Sequence, residues 1–327
     1  PRACGTAALP SSAASGGRGQ DVSVKRYAEL RIKTCQYSFN LIQCHIDRKN
    51  IFIKGGNKMT NIPSSQTIQA LVRTAVESFA QGFKARHEGE VDNPDGTINM
   101  KIHNVFIEVL GSEIQYYTAL VRSLDSSLGN MLESLAINIA KLFFEVKQNV
   151  EGSLWQKQTR TIADILEKYK RHEIKPKVKD YQILRSDSMR SKSIMKRHDS
   201  DYYLIDKKSN SHYLIELKIG GDLDNKKARS EKEAILEQYA ILSNTLGKDE
   251  KISIFFATAY NRFGENKPWK QERVRQFFAD EELLIGKDFW NFICHSQDGY
   301  NIVLDEYRKS AILIRKALDS IKKTYLG

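Results

Sequence analysis

Apolar residues recur every three or four positions after Met59, and this period predicts amphipathic helices in the first half of the chain. Ser64 suits the start of the first helix, because a serine side chain can accept a hydrogen bond from the first helical turn. A second apolar stripe predicts a helix over 129–146. The positions that define the two stripes are Ile68, Leu71, Val72, Ala75, Phe79 and Phe83, followed by Leu132, Leu135, Ala136, Ile139, Leu142, Phe143 and Val146.

Short runs of aromatic and branched residues after residue 200 predict strands instead. We expect strands over 201–206, 212–219 and 251–258, and a long helix over 303–325 at the end of the chain. Strands and helices alternate in this half, whereas helices dominate the first half. The sequence therefore indicates an α/β fold, with a mixed central β-sheet flanked by helices and a helix-rich N-terminal half.

Basic residues are concentrated in two segments of the chain. Residues 169–198 are rich in Lys and Arg and are broken by Pro176, so we expect a surface loop there. Residues 1–58 contain ten Lys/Arg and three Asp/Glu, which accounts for +7 of the net charge of +11. The rest of the chain is only mildly basic. With 41% hydrophobic residues overall, the chain can form a sizeable core.

The first 58 residues are predicted to be a leader, and residues 59–327 a single folded domain. Residues 1–20 are small and polar, with no helical or strand period. The stretch Lys-Gly-Gly-Asn-Lys-Met at 54–59 back-translates into a purine-rich ribosome-binding site followed by a start codon, so Met59 is the expected natural start. The alternative is a native basic arm that contacts nucleic acid.

Membrane insertion and export are not expected. The chain has no run of roughly 18 apolar residues and no secretory signal pattern. Only Cys294 follows Met59, since Cys4, Cys35 and Cys44 precede it. A lone cysteine forms neither an internal disulfide nor a thiolate zinc cluster, which indicates a reducing cytoplasm.

The candidate chemistry lies in the predicted hairpin. Glu216 and Lys218 occupy alternate positions of one strand, so their side chains share a face, and Asp201 stands at the start of the partner strand. Two carboxylates can hold Mg²⁺, which neutralises a phosphate and acidifies water, while a lysine orients that water or stabilises developing charge. This set is typical of metal-dependent phosphodiester hydrolysis. The alternatives are a solvated, salt-bridged sheet face, and Asp199 in place of Asp201.

Two further residues are candidates for the same site. Glu133 lies on a helix face with apolar residues, so we expect it to be partly buried against the sheet, where it could complete the metal site. A boundary glutamate whose carboxylate reaches water is an equal alternative. Gln238 could bind water or phosphate from the following helix, although a helix-surface amide is the preferred interpretation.

Cations near the motif suggest contacts with DNA phosphates. A Gly-Gly loop at 220–221 permits close backbone approach to a ligand, and the helix after it starts with basic residues that oppose the helix dipole. The loop 259–276 mixes cations with Tyr260, Phe263 and Trp269, and is the preferred segment for reading bases, with an ordinary solvated loop as the equal alternative. The candidate DNA-binding residues are Lys226, Lys227, Arg229, Lys232, Arg262, Lys267, Lys270 and Arg273.

The segments ELKIGGDLDNKKARSEKEA at 216–234, GNMLE at 129–133 and LIGKDFWNF at 284–292 resemble the TdeIII family of type II restriction endonucleases. The resemblance implies a PD-(D/E)xK core, Mg²⁺, and cleavage of double-stranded DNA inside a short palindrome, GGNCC for that family. Asp201 and Glu216 would be the metal ligands and Lys218 the catalytic lysine. Ser200 replaces the proline of the motif. Such an enzyme is expected to accompany a cognate DNA methyltransferase in the cytoplasm.

Two other functions fit the same residues. A PD-(D/E)xK nuclease of DNA repair would share the catalytic residues without sequence-specific cutting, and a non-catalytic DNA-binding protein would use the acidic cluster structurally. For a restriction enzyme with one active site per chain, a palindrome predicts a homodimer. The apolar stripe of the 303–325 helix is a candidate for that interface, although packing on its own core is the more common outcome.

Overall fold

A five-stranded mixed β-sheet lies at the centre of the computed structural model, which describes residues 64–327. The predicted leader at 1–58 lies outside the described residues. The α-helices are α1 (Ser65–Gly89), α2 (Val105–Glu108), α3 (Ser112–Ala140), α4 (Gln156–Lys170), α5 (Lys179–Gln182), α6 (Asn225–Thr245), α7 (Glu272–Arg275), α8 (Lys287–Ile293) and α9 (Gly299–Leu326). The strands are β1 (Glu145–Trp155), β2 (Ser193–Asp206), β3 (Ser211–Leu217), β4 (Lys251–Thr258) and β5 (Leu283–Ile285).

The strands follow one another across the sheet in chain order. The pairs β1–β2 and β2–β3 are antiparallel, whereas β3–β4 and β4–β5 are parallel. A parallel connection needs a crossover, and α6 supplies the one between β3 and β4. The predicted α/β class and its mixed sheet flanked by helices are therefore confirmed.

The two faces of the sheet are covered by different helices. On one face, α4 and α6 bury Leu214 and Phe256 in the main apolar core. On the other face, aromatic rings of α8 cover β2, β3 and β4, and the ring of Phe292 lies 5.1 Å from that of Tyr213. Since β3 is covered on both sides, its residues are nearly all buried, as expected for a central strand.

Two of the predicted boundaries are wrong. The helix predicted over 129–146 ends at Ala140, and Val146 belongs to β1, where it lies opposite Leu204. The surface loop predicted over 169–198 is partly strand, since β2 begins at Ser193. In both cases the long β1–β2 pairing supplies backbone hydrogen bonds that outweigh the local sequence preference.

The N-terminal helix packs against the C-terminal one. Ser64 caps α1 by accepting a hydrogen bond from the backbone N–H of Thr67, as the sequence predicts. The apolar stripe of α9, including Ile314, Ala317 and Ile321, is buried against α1 and its neighbours. This stripe therefore covers the protein's own core, and the suggestion that it forms a subunit interface is wrong.

Lys232 of α6 is buried, and its assignment to DNA phosphate is wrong. None of its side-chain surface is accessible, and Nζ lies 2.6 and 2.8 Å from the two carboxylate oxygens of Glu282. The hydroxyl of Tyr181 and the backbone N–H of Ala279 also donate to that carboxylate. These contacts join α6 to the segment before β5, so they set the position of the helix that follows the candidate motif.

We expect Lys232→Met to lower the free energy of unfolding by about 3–5 kcal/mol, because it keeps the side-chain volume but leaves the Glu282 carboxylate buried without its cation. Urea unfolding measures the change. Lys226→Met on the same helix is the matched control, since Lys226 is exposed, and we expect a change within about 0.5 kcal/mol. A loss in Lys232→Met no larger than in the control would contradict a stabilising role for the ion pair.

His87 is fully buried at the end of α1. Burial and the adjacent Arg86 lower the pKa of His87 to about 4. In the unfolded chain, His87 binds a proton below its usual pKa of 6.5, whereas in the folded state it does so only near pH 4. Stability is therefore fully present above pH 6.5 and is lost as the pH falls towards 4.

Between pH 7 and pH 5 we expect His87 to lower the free energy of unfolding by about 2 kcal/mol. Urea unfolding at both pH values measures the loss, and His87→Gln should show a correspondingly weaker dependence on pH. Equal slopes in the two proteins would rule out His87 as the source.

Candidate active site

The structure brings Asp201, Glu216 and Lys218 together where β2 and β3 meet. Tyr202 is paired with Ile215, and the next residues along the two antiparallel strands are Asp201 and Glu216. The carboxylate of Asp201 accepts a hydrogen bond from the backbone N–H of Leu217 at 3.0 Å. Asp201 is therefore held beside Glu216, as the hairpin pattern predicts.

An irregularity in β2 separates Asp201 from Asp199. From Lys147–Tyr203 to Asn149–Asp199, β1 advances two residues while β2 advances four, so β2 bulges around Asp201. Bulges of this kind redirect side chains near functional sites. Asp199 lies in the regular pairing with β1, whereas Asp201 lines the cavity described below. The geometry thus favours Asp201 over Asp199 as the first carboxylate.

Glu216 and Lys218 form a short ion pair, with Nζ of Lys218 2.5 Å from Oε1 of Glu216. Glu216 is buried, and burial together with the charge of Asp201 raises its pKa to about 8, against the opposing effect of Lys218. Burial lowers the pKa of Lys218, but Glu216, Asp201 and Glu231 outweigh burial and raise it above its usual value. Lys218 therefore stays protonated at neutral pH.

Glu231 of α6 is a member of this cluster that the sequence did not single out. Its Oε1 lies 3.3 Å from Nζ of Lys218, so the ammonium group stands between two carboxylates. Glu231 follows Lys227 by one helical turn, and both line the cavity. In the sequence, the spacing places Lys227 and Glu231 on one face of the helix, but it does not indicate which part of the protein that face contacts.

The cavity beside these residues has a volume of about 560 Å³ and is open to solvent. It lies where β3 ends and α6 begins. Its lining residues are Glu133, Asp201, Leu217, Lys218, Ile219, Gly220, Gly221, Asp222, Leu223, Lys227, Ser230 and Glu231.

Glu133 reaches the cavity from α3 on the opposite side. The hydroxyl of Tyr202 donates to the Glu133 backbone carbonyl at 2.8 Å, which holds this part of α3 against β2. The desolvation of its carboxyl and the charge of Asp201 raise the pKa of Glu133. The residue as a whole is exposed, and its carboxyl is partly desolvated where it faces the open cavity, so its burial is smaller than the sequence predicts.

Gln238 is not among the residues that line the cavity. It is buried in α6, two turns beyond Glu231, and its side-chain oxygen has no hydrogen-bond partner among the described residues. The preferred interpretation of Gln238 as a surface amide is therefore wrong. Its placement also provides no direct contact with the three motif residues.

The Gly-Gly loop at 220–221 lines the cavity, and close packing explains why its second residue is glycine. Gly221 has a φ of +63°, and a Cβ at this position would lie 2.6 Å from the side chain of Thr258. A larger residue would force the end of β4 away. The glycine thus lets the loop pack closely against β4 and Trp269, which is buried instead of available for a base.

The remaining candidate DNA-binding residues differ in accessibility. Lys226 and Lys227 are exposed at the start of α6, whereas Arg229 is half-buried and lies 3.3 Å from Glu167. Arg262 is exposed and lies 2.6 Å from Asp222 of the cavity wall, which places the loop after β4 next to the cavity. The other exposed cations of that loop are Lys267, Lys270 and Arg273.

The donor set near the cavity fits a hard divalent cation with few protein ligands. Within residues 64–327, no three His, Cys, Asp or Glu side chains are arranged as a ready metal cluster. Mg²⁺ commonly binds through one or two carboxylates, with water and phosphate as its other ligands. Asp201 and Glu216 supply two such carboxylates, so these residues fit the ion.

In the described part of the chain, no helix has the length and apolar character needed to cross a membrane.

Comparison with known proteins assigns the chain to a family. Residues 65–311 match the family model described as "Type II restriction endonuclease, HinfI". No curated protein and no solved structure matches the chain. The match is to the HinfI family, so the resemblance to TdeIII is supported at the level of type II restriction endonucleases and no finer. The chain belongs to the HinfI family of type II restriction endonucleases and is a site-specific deoxyribonuclease.

Proposed function

We propose that the chain hydrolyses both strands of DNA at a short recognition sequence with Mg²⁺, using Asp201 and Glu216 as metal ligands and Lys218 as the catalytic lysine. The observation that carries the proposal is the meeting of these three side chains beside one open cavity where β3 ends. The family match supplies the reaction class.

The metal would be held by the carboxylates of Asp201 and Glu216, with the backbone carbonyl of Leu217 and the carboxylate of Glu133 as further donors. Bound Mg²⁺ supplies positive charge at the scissile phosphate and lowers the pKa of nearby water. The raised pKa values of Glu216 and Glu133 arise from desolvation and from the charge of Asp201. A cation would relieve this repulsion, which supports the assignment.

Lys218 acts as a hydrogen-bond donor and a fixed positive charge. Because its pKa is raised, it does not accept a proton from water at neutral pH. Its ammonium group donates hydrogen bonds to the attacking water or to a non-bridging phosphate oxygen, where negative charge develops in the transition state. Glu231 holds the ammonium group from the helix side, so Lys218 would keep this contact with Glu216 bound to a metal ion.

Double-stranded DNA would lie across the cavity mouth. Lys227 lines the cavity next to Lys226 at the start of α6, and Arg262 contacts Asp222 of the cavity wall from the loop that also carries Lys267, Lys270 and Arg273. Phosphate contacts from such groups position the duplex, and the loop supplies contacts to bases.

Several finer expectations remain part of the proposal. They are a homodimer, a cognate DNA methyltransferase, a cytoplasmic location, and one catalytic domain at 59–327 preceded by a leader. The recognition sequence GGNCC rests on the TdeIII resemblance alone, so it is the first sequence to test. The family match favours this reaction over the two alternatives left open by the sequence, a repair nuclease of the same core and a non-catalytic DNA-binding protein.

We expect Glu216→Gln and Lys218→Ala each to lower the cleavage rate by roughly a hundredfold or more, because their contribution is made mostly in the transition state. DNA binding and folding should persist. The measurements are plasmid cleavage under single-turnover conditions and binding of a short duplex. EDTA should stop wild-type cleavage, and added Mg²⁺ should restore it.

Matched controls separate the motif from its surroundings. Glu233→Gln removes an exposed carboxylate of α6 outside the cavity, and Asp199→Asn changes the acid next to the motif, so both should cut at the wild-type rate. Asp201→Asn should be as impaired as Glu216→Gln. Wild-type activity in Glu216→Gln, or equal loss in Asp199→Asn, would refute the assigned roles.

A plasmid digest tests the sequence-specific reaction itself. We expect discrete bands, because a type II enzyme cuts at each copy of one sequence, and sequencing the fragment ends gives that sequence. A plasmid with GGNCC sites and one without them form the first pair of substrates. A smear would indicate a nuclease without a recognition site, and uncut plasmid with retained DNA binding would indicate a non-catalytic protein.

A further inference from the structure

An apolar patch lies at the N-terminal end of α3, away from the candidate active site. We call it the 100–121 patch, and it comprises the turn before α2, α2 itself and the first turns of α3, which contact one another. Its exposed residues are Met100, Ile102, Val105, Phe106, Val109, Leu110, Ile114, Tyr117 and Val121.

The exposure of this patch is unusually large for a free surface. Phe106 is 82% exposed and Val109 is 74% exposed, and the other side chains range from 36% to 63%. For residues of roughly 150–200 Å² each, the nine leave on the order of 800–1,000 Å² of mostly apolar surface in water, backbone atoms included. The largest apolar patch on a typical monomer covers about 300–600 Å². The exposed surface therefore indicates an interface.

The chemistry of the patch excludes nucleic acid as its partner. Between residues 100 and 121 the only Lys, Arg, Asp and Glu side chains are Lys101, Glu108 and Glu113. A surface with one cation and two anions does not attract phosphate, which needs several Lys or Arg side chains. An apolar protein surface is the complementary partner.

We propose that the 100–121 patch is the surface through which two copies of this chain associate. The area is sufficient, since a standard interface buries about 800 Å² per partner. A two-fold interface uses the same patch on both copies, and an apolar patch is complementary to itself. Ile114, Tyr117 and Val121 recur at helical spacing along α3, so this helix can pack against its symmetry mate.

The need for a second copy rests on the proposed function, which is cleavage of both DNA strands. Each chain carries one Asp201–Glu216–Lys218 set, so cutting both strands in one event needs two chains. Helix α3, which carries Ile114, Tyr117 and Val121 of the patch, also carries Glu133 at the cavity. Tyr117 and Glu133 are 16 residues apart on α3, or about 24 Å along the axis. The interface would thus set the distance between the two active sites through a rigid helix.

The test is sedimentation velocity of the full chain without DNA, which does not depend on cleavage. We expect wild type to sediment as a dimer at micromolar concentration. The double variant Phe106→Asp and Val109→Asp should raise the dimer dissociation constant by at least about a hundredfold, because it places charges in an apolar interface. Ile312→Asp, at an exposed apolar position of α9, is the matched control and should stay dimeric.

Folding is checked by circular dichroism, and Phe106→Ser with Val109→Ser serves as a milder pair should the aspartates unfold the protein. A wild type that is monomeric at tens of micromolar, or a double variant that dimerises like wild type, would overturn the proposal. Loss of cleavage in Glu216→Gln with an intact dimer leaves the interface standing, which separates the two proposals.

Discussion

Two carboxylates held side by side repel each other, and much of the structure around Asp201 and Glu216 offsets that repulsion. The backbone N–H of Leu217 donates to Asp201, and the ammonium group of Lys218 contacts Glu216. Burial makes the cost higher, as the raised pKa of Glu216 indicates. A site that keeps such a pair together is prepared for a cation that satisfies both carboxylates at once.

The position of α6 decides which residues surround that pair. Buried contacts of Lys232 with Glu282 hold the helix against the segment before β5, and the main apolar core holds it against the sheet. With the helix fixed in rotation, Glu231 faces Lys218 and Lys227 lines the cavity. A buried ion pair outside the cavity thus fixes the position of a helix that lines it.

Helix α3 connects the candidate active site with the 100–121 patch. Its C-terminal part brings Glu133 to the cavity and is anchored to β2 through Tyr202. Its N-terminal part carries three exposed apolar residues of the 100–121 patch, Ile114, Tyr117 and Val121, and packs against the short elements that carry the others. Because an α-helix is rigid along its axis, the proposed association of two copies at one end would fix the location of each candidate active site at the other.

Local patterns in the sequence determined the features that depend on near neighbours in the chain. The two-residue period of a strand placed Glu216 and Lys218 on one face, the hairpin brought Asp201 beside them, and the helical period with Ser64 as cap gave α1. The family match extends over most of the described chain and agrees with this interpretation. These predictions needed no knowledge of distant residues.

Tertiary structure decided the rest. Strand β1 has too few apolar residues to be recognised alone, and it forms because β2 supplies its hydrogen-bond partners. Lys227 and Lys232 stand on the same helix with the same chemistry, yet one is exposed and the other buried, because Glu282 is 50 residues further along the chain and reaches only Lys232. The contact of Glu231 with Lys218 and the exposure of Phe106 likewise depend on which elements pack against each helix. No local pattern in the sequence contains that information.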